Sequence, residues 1–366
     1  MKIGFLTERM ILGYGVDLVT DKLAEGLSRK GHEVTVYCSF QDDTFAGGNY
    51  ALKALNVPAS RRPPDYEVRA EKAIEEYVSD EDLWIVETFP FFKAASRFEK
   101  PWIAIDYGVV PSRPFSRKIR KYFDYIRRTQ YGEYFESSSK IICISNFLRQ
   151  CLPDRLKQKS SVVYPAVDHY DKKILIDLRR ELNLRGTTLL YQGRSSDTSR
   201  YKGVDLLLEA YAKLRSETDD VQLLISTSCS AEEQARLERN GAVVLNGVLM
   251  QFVPSVYQCA DVFATATQWE GFDLPLLEAG YFGLPVVAFA IGAHAEIVRD
   301  GQTGYLVREK NEFLTRTKQL VDDARLRKEM GDAGSSFASR FKWKDTVEAF
   351  EQIVKDTYKE AMRSAR

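Results

Sequence analysis

Short apolar runs alternate with polar, glycine-containing stretches along the first half of the chain. Residues 1–6 predict a strand, and residues 16–30 predict a helix after a loop at residues 7–15. The next apolar run, at residues 34–38, completes a β-α-β unit, which begins a parallel sheet because such crossovers are right-handed. Four further apolar runs predict strands at residues 83–87, 102–105, 141–144 and 161–164.

A second series of the same kind begins after a charged stretch at residues 168–180, which predicts a linker and a helix. This series opens with a strand at residues 188–193 and a helix at residues 204–215. The strands that complete it are predicted at residues 221–226, 242–245, 262–265 and 286–289. Two consecutive series predict an α/β protein with two doubly wound, Rossmann-like domains. In such folds ligands bind beyond the carboxyl ends of the strands, so a cleft between the halves is the expected active site.

The composition indicates a core-forming globular protein. The 366 residues are 44% apolar and 28% charged, and a formal net charge of zero argues against a nucleic-acid partner. The five cysteines include no Cys-x-x-Cys pair, which favours reduced thiols in a cytosolic compartment. No run approaches the roughly 20 apolar residues of a membrane span, and residues 1–6 do not resemble a signal peptide. We therefore expect a cytoplasmic protein.

Two carboxylates, Glu270 and Glu278, flank a turn that follows the predicted strand at residues 262–265. Residues 276–282 predict a helix, with Pro275 in its permissive first turn. The backbone amides of the loop and of the helix N-terminus would face an anion at the carboxyl edge of the sheet. Carboxylates there suit sugar hydroxyls, and amides suit phosphate. The alternative is a pair of solvated glutamates beside a turn.

These residues belong to a pattern that resembles the retaining glycosyltransferases of family 4. Glu-Gly-Phe-x-Leu-Pro-x-x-Glu-Ala at residues 270–279 is followed by Gly-x-Pro-Val-Val-Ala at residues 283–288. Upstream, the Gly-Arg pair at 193–194 and the Lys-Gly pair at 202–203 resemble the family's two cationic positions. The four motifs occur in the family's order over more than a hundred residues.

The resemblance implies the GT-B fold, with two Rossmann-like domains facing a central cleft. The acceptor domain would comprise residues 1–166, with the helical tail at about residues 343–366 returning to it. Residues 167–342 would form the nucleotide-sugar donor domain. Gly13 and Gly15 resemble the family's glycine loop, although Tyr14 interrupts the usual adjacent pair.

The resemblance also implies a role for individual side chains. Arg194 and Lys202 would hold the leaving diphosphate, because fixed cations stabilise the negative charge that develops on it. Glu270 would contact the hexose and Glu278 the ribose hydroxyls. Solvated loop cations remain the alternative for the Arg and Lys pair. The other predicted donor contacts are Gly13, Gly15, Gly193, Asn246, Val248, Gly271, Phe272, Asp273, Leu274 and His294.

Two positions depart from the family pattern. Asp273 stands where glycine is frequent, so its side chain would clash with the hexose or contact one of its hydroxyls. Asp106 follows the strand at residues 102–105, where many relatives have a histidine. We predict that Asp106 contacts the sugar or acts as a general base; a turn aspartate is an equal alternative. Of the other histidines, His32 is predicted to be structural, and His169 is assigned no function.

The predicted function is a retaining, metal-independent transfer of a hexose to a hydroxyl of a glycan, glycolipid or small molecule. The donor is a nucleotide diphosphate sugar, with a UDP-sugar preferred over GDP-mannose, and no cofactor is predicted. A non-catalytic nucleotide-sugar-binding subunit of a glycosyltransferase complex is the alternative. Gly13 and Gly15 lack the third glycine of a dinucleotide-binding loop, which excludes a Rossmann oxidoreductase. The basic segment at residues 113–128 favours a solvated helix face; the alternatives are a peripheral contact with an anionic membrane and a contact with a phosphorylated acceptor such as a lipid-diphosphate glycan.

Overall fold

The computed structural model describes residues 1–11, 13–42, 45, 47–113, 115–173, 175–218 and 220–364, apart from the side chains of residues 197 and 198. Position 12 of the predicted loop, 114 of the basic segment, 174 of the linker, and 365 and 366 of the tail lie outside the described residues. Internal contacts divide the chain into one unit of Met1–Pro165 with Trp343–Arg366 and another of Ala166–Lys342.

The described residues of the first unit form a seven-stranded parallel sheet in the order β3-β2-β1-β4-β5-β6-β7. The strands are β1 (Lys2–Met10), β2 (Glu33–Gln41), β3 (Ala51–Ala54), β4 (Leu83–Val86), β5 (Trp102–Asp106), β6 (Lys140–Cys143) and β7 (Ser160–Val162). The helices are α1 (Gly15–Arg29), α2 (Pro63–Ile74), α3 (Phe92–Ala95), α4 (Arg117–Thr129), α5 (Phe135–Ser137), α6 (Asn146–Cys151) and α7 (Asp154–Lys157). A 3₁₀ turn (Glu75–Tyr77) follows α2, and a π-helical turn (Gln130–Tyr134) joins α4 to α5.

One prediction for this sheet was wrong, and one strand was missed. The loop predicted from residue 7 is instead the end of β1, because pairing with β2 continues to Met10 opposite Gln41. Strand β3 was not predicted at all. It lies at the sheet edge and three of its four residues are exposed, so its sequence has no apolar alternation.

The described residues of the second unit form a six-stranded parallel sheet in the order β10-β9-β8-β11-β12-β13. The strands are β8 (Thr187–Gln192), β9 (Val221–Thr227), β10 (Val243–Asn246), β11 (Val262–Thr265), β12 (Val286–Phe289) and β13 (Gly304–Val307). The helices are α8 (Leu178–Glu181), α9 (Val204–Glu217), α10 (Ala231–Arg239), α11 (Val253–Gln258), α12 (Leu274–Tyr281), α13 (His294–Ile297), α14 (Lys310–Asp322) and α15 (Ala324–Ala338), with 3₁₀ turns at Asp197–Lys202 and Met250–Phe252. The predicted series ended at residue 289, so β13 is an additional edge strand.

The strand order of the second sheet reverses between β8 and β11. These neighbours pair through Leu189 opposite Val262 and Leu190 opposite Phe263, and all four side chains are buried. Crossover connections on the two sides of this point leave in opposite directions, and ligands of doubly wound sheets bind at such a reversal. In the first sheet the reversal lies between β1 and β4.

The last helix, α16 (Trp343–Ser364), packs on the first unit. The buried ring of Phe350 stacks on Phe5 of β1, with 6.5 Å between the ring centroids. Beside it, a carboxylate oxygen of Glu351 lies 3.1 Å from Nε2 of His32, and Lys30 approaches the other oxygen to 3.3 Å. His32 therefore has a structural contact, between the end of α1 and the final helix.

Candidate functional site

Three loops of the second unit leave the carboxyl edge of its sheet at the strand-order reversal. The loop after β8 contains Gly193 and Arg194 and continues to Lys202 at the end of a 3₁₀ turn. The loop after β11 carries Glu270, and the loop after β12 leads into α13 at His294. Because β8, β11 and β12 are neighbours in the sheet, their loops meet at one place.

A buried ion pair lies where these loops meet. Nζ of Lys202 is 2.5 Å from Oε1 of Glu270, and the hydroxyl of Thr267 donates to the same oxygen at 3.1 Å. Only 16% of the Lys202 side chain and 10% of the Glu270 side chain are exposed. Burial opposes the ammonium charge, but the carboxylates of Glu270 and Asp273 outweigh burial and raise the pKa of Lys202. Lys202 is therefore a fixed cation at neutral pH.

Two glycines allow the neighbouring loops to approach this pair. Gly203 has a φ of +69°, and a Cβ there would lie 1.9 Å from the carbonyl oxygen of Ala266. Gly292 has a φ of +53°, and a Cβ there would lie 2.1 Å from the carbonyl oxygen of Glu270. The loops after β8 and β12 thus rest directly on the backbone of the loop after β11, which fixes the positions of Lys202 and Glu270.

Asp273, the departure at a frequent glycine position, has a left-handed backbone with φ 74° and ψ 71°. Glycine adopts this conformation without strain, and aspartate tolerates it better than most residues. Its Oδ2 lies 3.1 Å from Nε2 of His294, and Nδ1 of the same ring lies 2.7 Å from the carbonyl oxygen of Phe289. Burial alone would raise the pKa of Asp273, but the hydrogen bond from His294 and the charge of Lys202 lower it.

His294 is completely buried. Its two ring nitrogens face Asp273 and the backbone of Phe289, so the ring supports the loop after β11. We predicted His294 as a hexose contact from its place in the sequence. The contacts with Asp273 and Phe289 are ones that the sequence did not indicate.

Glu278 has two buried protein partners. The hydroxyl of Tyr257 donates to its Oε2 at 2.6 Å, and Nε2 of His169 lies 3.4 Å from its Oε1. The ring of His169 lies beside that of Tyr170, with 4.1 Å between the centroids. His169 was assigned no function from the sequence, because its contact with Glu278 spans more than a hundred residues and has no local pattern.

The remaining predicted donor residues have different environments. Arg194 is exposed and its carbonyl oxygen accepts from Tyr191 at 3.2 Å, while the amide of Gly193 donates to Ser226. Gly271 and Phe272 are buried within the loop, and Leu274 is buried at the start of α12. Asn246 and Val248 lie at the end of the edge strand β10. The side-chain amide nitrogen of Asn246 donates to Cys229 and Gln234, which fastens the loop after β9.

Asp106 lies in the first unit, at the end of β5, and is 1% exposed. Its Oδ1 accepts from the amide of Gly108 and from the hydroxyl of Tyr131, each at 2.9 Å. Burial raises the pKa of Asp106 to about 6. The contact with Gly108 is that of a turn aspartate, and the contact with the sugar stays a prediction. Gly13 (φ +86°) and Gly15 are exposed at the start of α1.

Residues 117–128 of the basic segment lie in α4. Arg117, Lys121 and Arg128 recur at helical spacing along one exposed face, and Asp124 lies among them. None of the helices in the described part of the chain combines the length and apolar composition needed to cross a bilayer.

Two family descriptions match the chain over most of its length. "Glycosyltransferase Family 4" matches residues 14–170, and "Glycosyl transferases group 1" matches residues 186–323. A D-inositol 3-phosphate glycosyltransferase of Corynebacterium aurimucosum is 30% identical over 194 residues, which is 49% of this chain and 45% of that protein. The chain therefore aligns with less than half of the length of this relative.

Solved structures are similar over nearly the whole chain. Sucrose-phosphate synthase from Thermosynechococcus elongatus has a TM-score of 0.82 at 15% identity, covering 98% of this chain and 99% of that one. Anabaena Alr3699/HepE in complex with UDP and glucose has a TM-score of 0.75 at 18% identity, covering 97% and 100%. At these identities the similarity establishes the fold: two Rossmann-like domains of the GT-B type, as predicted.

Proposed function

We propose, because the chain belongs to the glycosyltransferases of family 4, that it transfers a hexose from a nucleotide diphosphate sugar to a hydroxyl group of an acceptor. The observation that carries the proposal is the buried pair of Lys202 and Glu270 at the strand-order reversal. A sugar nucleotide needs a fixed cation beside its diphosphate and a carboxylate beside its hexose hydroxyls. Lys202 and Glu270 offer both within one contact.

In the proposed reaction the bond between the anomeric carbon and the diphosphate oxygen breaks, and a bond from that carbon to the acceptor oxygen forms. The acceptor proton passes to an oxygen of the departing diphosphate on the same face, which would retain the anomeric configuration. Lys202, with Arg194, would stabilise the charge on the diphosphate. In this scheme the two side-chain cations take the place of a metal ion. Glu270 would hold the hexose through its hydroxyls.

Glu278 would bind the ribose hydroxyls in this scheme. Because Tyr257 and His169 already contact its two oxygens, the ribose would share these oxygens or displace one of the partners. A carboxylate oxygen accepts more than one hydrogen bond, so sharing is compatible with its chemistry.

A UDP-sugar is the donor that we propose first, with GDP-mannose second. The HepE structure, which contains UDP and glucose, supports this order only through its similar fold. For the acceptor we propose a hydroxyl of a glycan, glycolipid or small molecule. The inositol phosphate in the name of the corynebacterial relative is an example of the last class.

A nucleotide screen tests the proposal. Thermal unfolding is measured with UDP, GDP, ADP and dTDP, for the wild type, Arg194→Ala and the control Arg325→Ala, whose side chain is exposed on α15. A nucleotide at about 100 times its dissociation constant adds roughly 2.7 kcal/mol of stability. We expect one nucleotide to stabilise the wild type and the control, and Arg194→Ala to lose most of the shift. No shift with any nucleotide would contradict the proposal.

A non-catalytic nucleotide-sugar-binding subunit is the alternative. It would give the same nucleotide shift but would neither hydrolyse nor transfer the sugar. Incubation of the purified protein with the sugar derivative of the stabilising nucleotide therefore separates the two. Release of the free nucleoside diphosphate, abolished by Lys202→Met, supports the enzyme.

We further propose that the exposed basic face of α4 holds the protein peripherally at an anionic membrane that carries a lipid-linked acceptor. Each cation near such a surface contributes about 1 kcal/mol, so Arg117→Gln/Lys121→Gln/Arg128→Gln should weaken binding to phosphatidylserine vesicles about 100-fold. The control replaces three exposed cations of the second unit, Lys213, Arg239 and Lys328, by glutamine. Equal loss in both triple variants, or no vesicle binding by the wild type, would contradict this contact.

A further inference from the structure

We propose that His294 is a positioning residue of the donor site, needed because position 273 carries an aspartate. In this view His294 shares a proton with Asp273, so that the pair carries no net charge and Lys202 is left to Glu270 and the diphosphate. This inference rests on the proposed function, because the site it concerns is the proposed donor site. The inference also explains how the site accommodates an aspartate at position 273, where relatives frequently have glycine.

The hydrogen bonds of the His294 ring indicate how the ring and Asp273 share protons. The carbonyl oxygen of Phe289 has no proton to give, so Nδ1, at 2.7 Å, must donate. Nε2 faces Oδ2 of Asp273 at 3.1 Å, and an ionised carboxylate also accepts only. Both contacts are satisfied when the ring carries two protons or when Asp273 itself is protonated. In either arrangement Asp273 and His294 form a hydrogen-bonded pair without net charge.

Each carboxylate of this cluster then has a partner on another loop. Oε1 of Glu270 lies 2.5 Å from Nζ of Lys202, and Oδ2 of Asp273 lies 3.1 Å from Nε2 of His294. The exposed fractions of the four side chains are 16% for Lys202, 10% for Glu270, 5% for Asp273 and none for His294. At such burial, solvent screens the charges weakly, so an imbalance of one charge is costly.

Other titratable groups nearby do not substitute for His294. Tyr191 and Tyr257 interact electrostatically with the carboxylates of this site. Burial raises the pKa of both hydroxyls, so both remain neutral. Glu296, on the same helix as His294, is a carboxylate and adds no positive charge. Replacing His294 by a side chain that cannot share a proton with Asp273 would therefore leave two buried carboxylates beside one ammonium. A net negative site opposes a diphosphate.

The left-handed backbone at position 273 allows the role of His294 to be tested with a substitution that introduces no strain. Its φ of 74° is one that glycine adopts freely, so Asp273→Gly removes the carboxylate without forcing the loop to change. His294→Gln keeps a polar side chain of similar reach but cannot carry a charge. The two single variants and the double variant form a cycle that measures the coupling between the two side chains.

The experiment measures the dissociation constant of the stabilising nucleotide by calorimetry, and the melting temperature without nucleotide, for the four proteins at pH 7. With Asp273 present, we expect His294→Gln to weaken nucleotide binding about ten-fold more than it does in the Asp273→Gly background, which is about 1.4 kcal/mol of coupling. His294→Gln should also lower the melting temperature more when Asp273 is present than when glycine replaces it. The control His32→Gln, which removes a histidine–carboxylate contact in the first unit, should show no coupling with position 273.

A comparison of two ligands separates charge from packing. His294→Gln should weaken binding of the nucleoside diphosphate more than binding of the corresponding nucleoside, because only the diphosphate is opposed by an unbalanced carboxylate at Asp273. Equal losses from His294→Gln in both backgrounds, with the same loss for both ligands, would overturn the inference and leave His294 as packing. If no nucleotide binds the wild type, the proposed function fails, and the melting-temperature cycle still decides whether the two residues are coupled.

Discussion

Lys202→Met should lower the turnover of hexose transfer by about 10²–10³-fold, the usual loss when one preorganised group that stabilises developing charge is removed. Lys202 is the cation at the strand-order reversal, and the carboxylates of Glu270 and Asp273 hold its proton in place. Methionine has a similar length and no charge. The expected loss is therefore in the stabilisation of the departing diphosphate, and turnover should fall more than the affinity for nucleotide.

The same variant should also destabilise the second unit. Removing one partner of a buried ion pair leaves the other uncompensated and costs about 3–5 kcal/mol. The double variant Lys202→Met/Glu270→Gln should regain most of this stability but none of the activity, because neither charge of the pair remains and the cation at position 202 is still missing. Lys213→Met, on the exposed face of α9, is the control and should change neither quantity.

Thermal unfolding and a product assay on these four proteins check both expectations. If Lys202→Met retains turnover within a few-fold of the wild type, Lys202 is not the cation that serves the diphosphate. If the double variant is as unstable as the single one, the loss comes from packing, and the pair with Glu270 does not account for it.

Gly292→Ala should destabilise the protein by about 3–5 kcal/mol, at the upper end of the range for single substitutions. The added Cβ would lie 2.1 Å from the carbonyl oxygen of Glu270, which is backbone and cannot rotate away. The φ of +53° adds about 1–2 kcal/mol of strain for any residue with a Cβ. Because the clash falls on Glu270, nucleotide affinity should fall together with stability.

Gly301→Ala is the matched control for the backbone strain. Gly301 has a φ of +71°, but a Cβ there has no atom within 4 Å. It should cost only the strain, about 1–2 kcal/mol, and leave nucleotide affinity unchanged. Equal destabilisation by the two variants, measured by thermal unfolding, would show that backbone strain alone determines the effect at Gly292 and that the contact with Glu270 contributes little.

Much of the fold could be predicted because its strands are buried on both faces. Such strands are short, continuous apolar runs, as in β4, β5 and β11, and the pattern predicted their positions within about two residues. The edge strands β3 and β13 were missed. Strand β3 is largely exposed and lacks the apolar run of a central strand, and β13 is a run of only three apolar residues after Gly304.

Part of the candidate site could be predicted as well, as a set of positions. Strand-to-loop junctions are visible in a sequence, and parallel strands bring their carboxyl ends to one edge, so the placement of Arg194, Glu270 and His294 at such junctions follows from the pattern. The family resemblance supplied the functional expectations for Lys202 and Glu278. None of this information pairs one side chain with another.

The order of residues was enough to predict a two-domain α/β protein that resembles family 4, and the loops that carry its candidate donor site. The folded chain was needed to show which side chains meet: Lys202 with Glu270, Asp273 with His294, and Glu278 with His169. These contacts join residues 21 to 109 positions apart, through the strand order of the sheet and two close backbone approaches. A local sequence pattern shows neither the strand order nor the backbone approaches. Which side chains meet at the edge of a sheet depends on how all the crossover connections between their strands are packed.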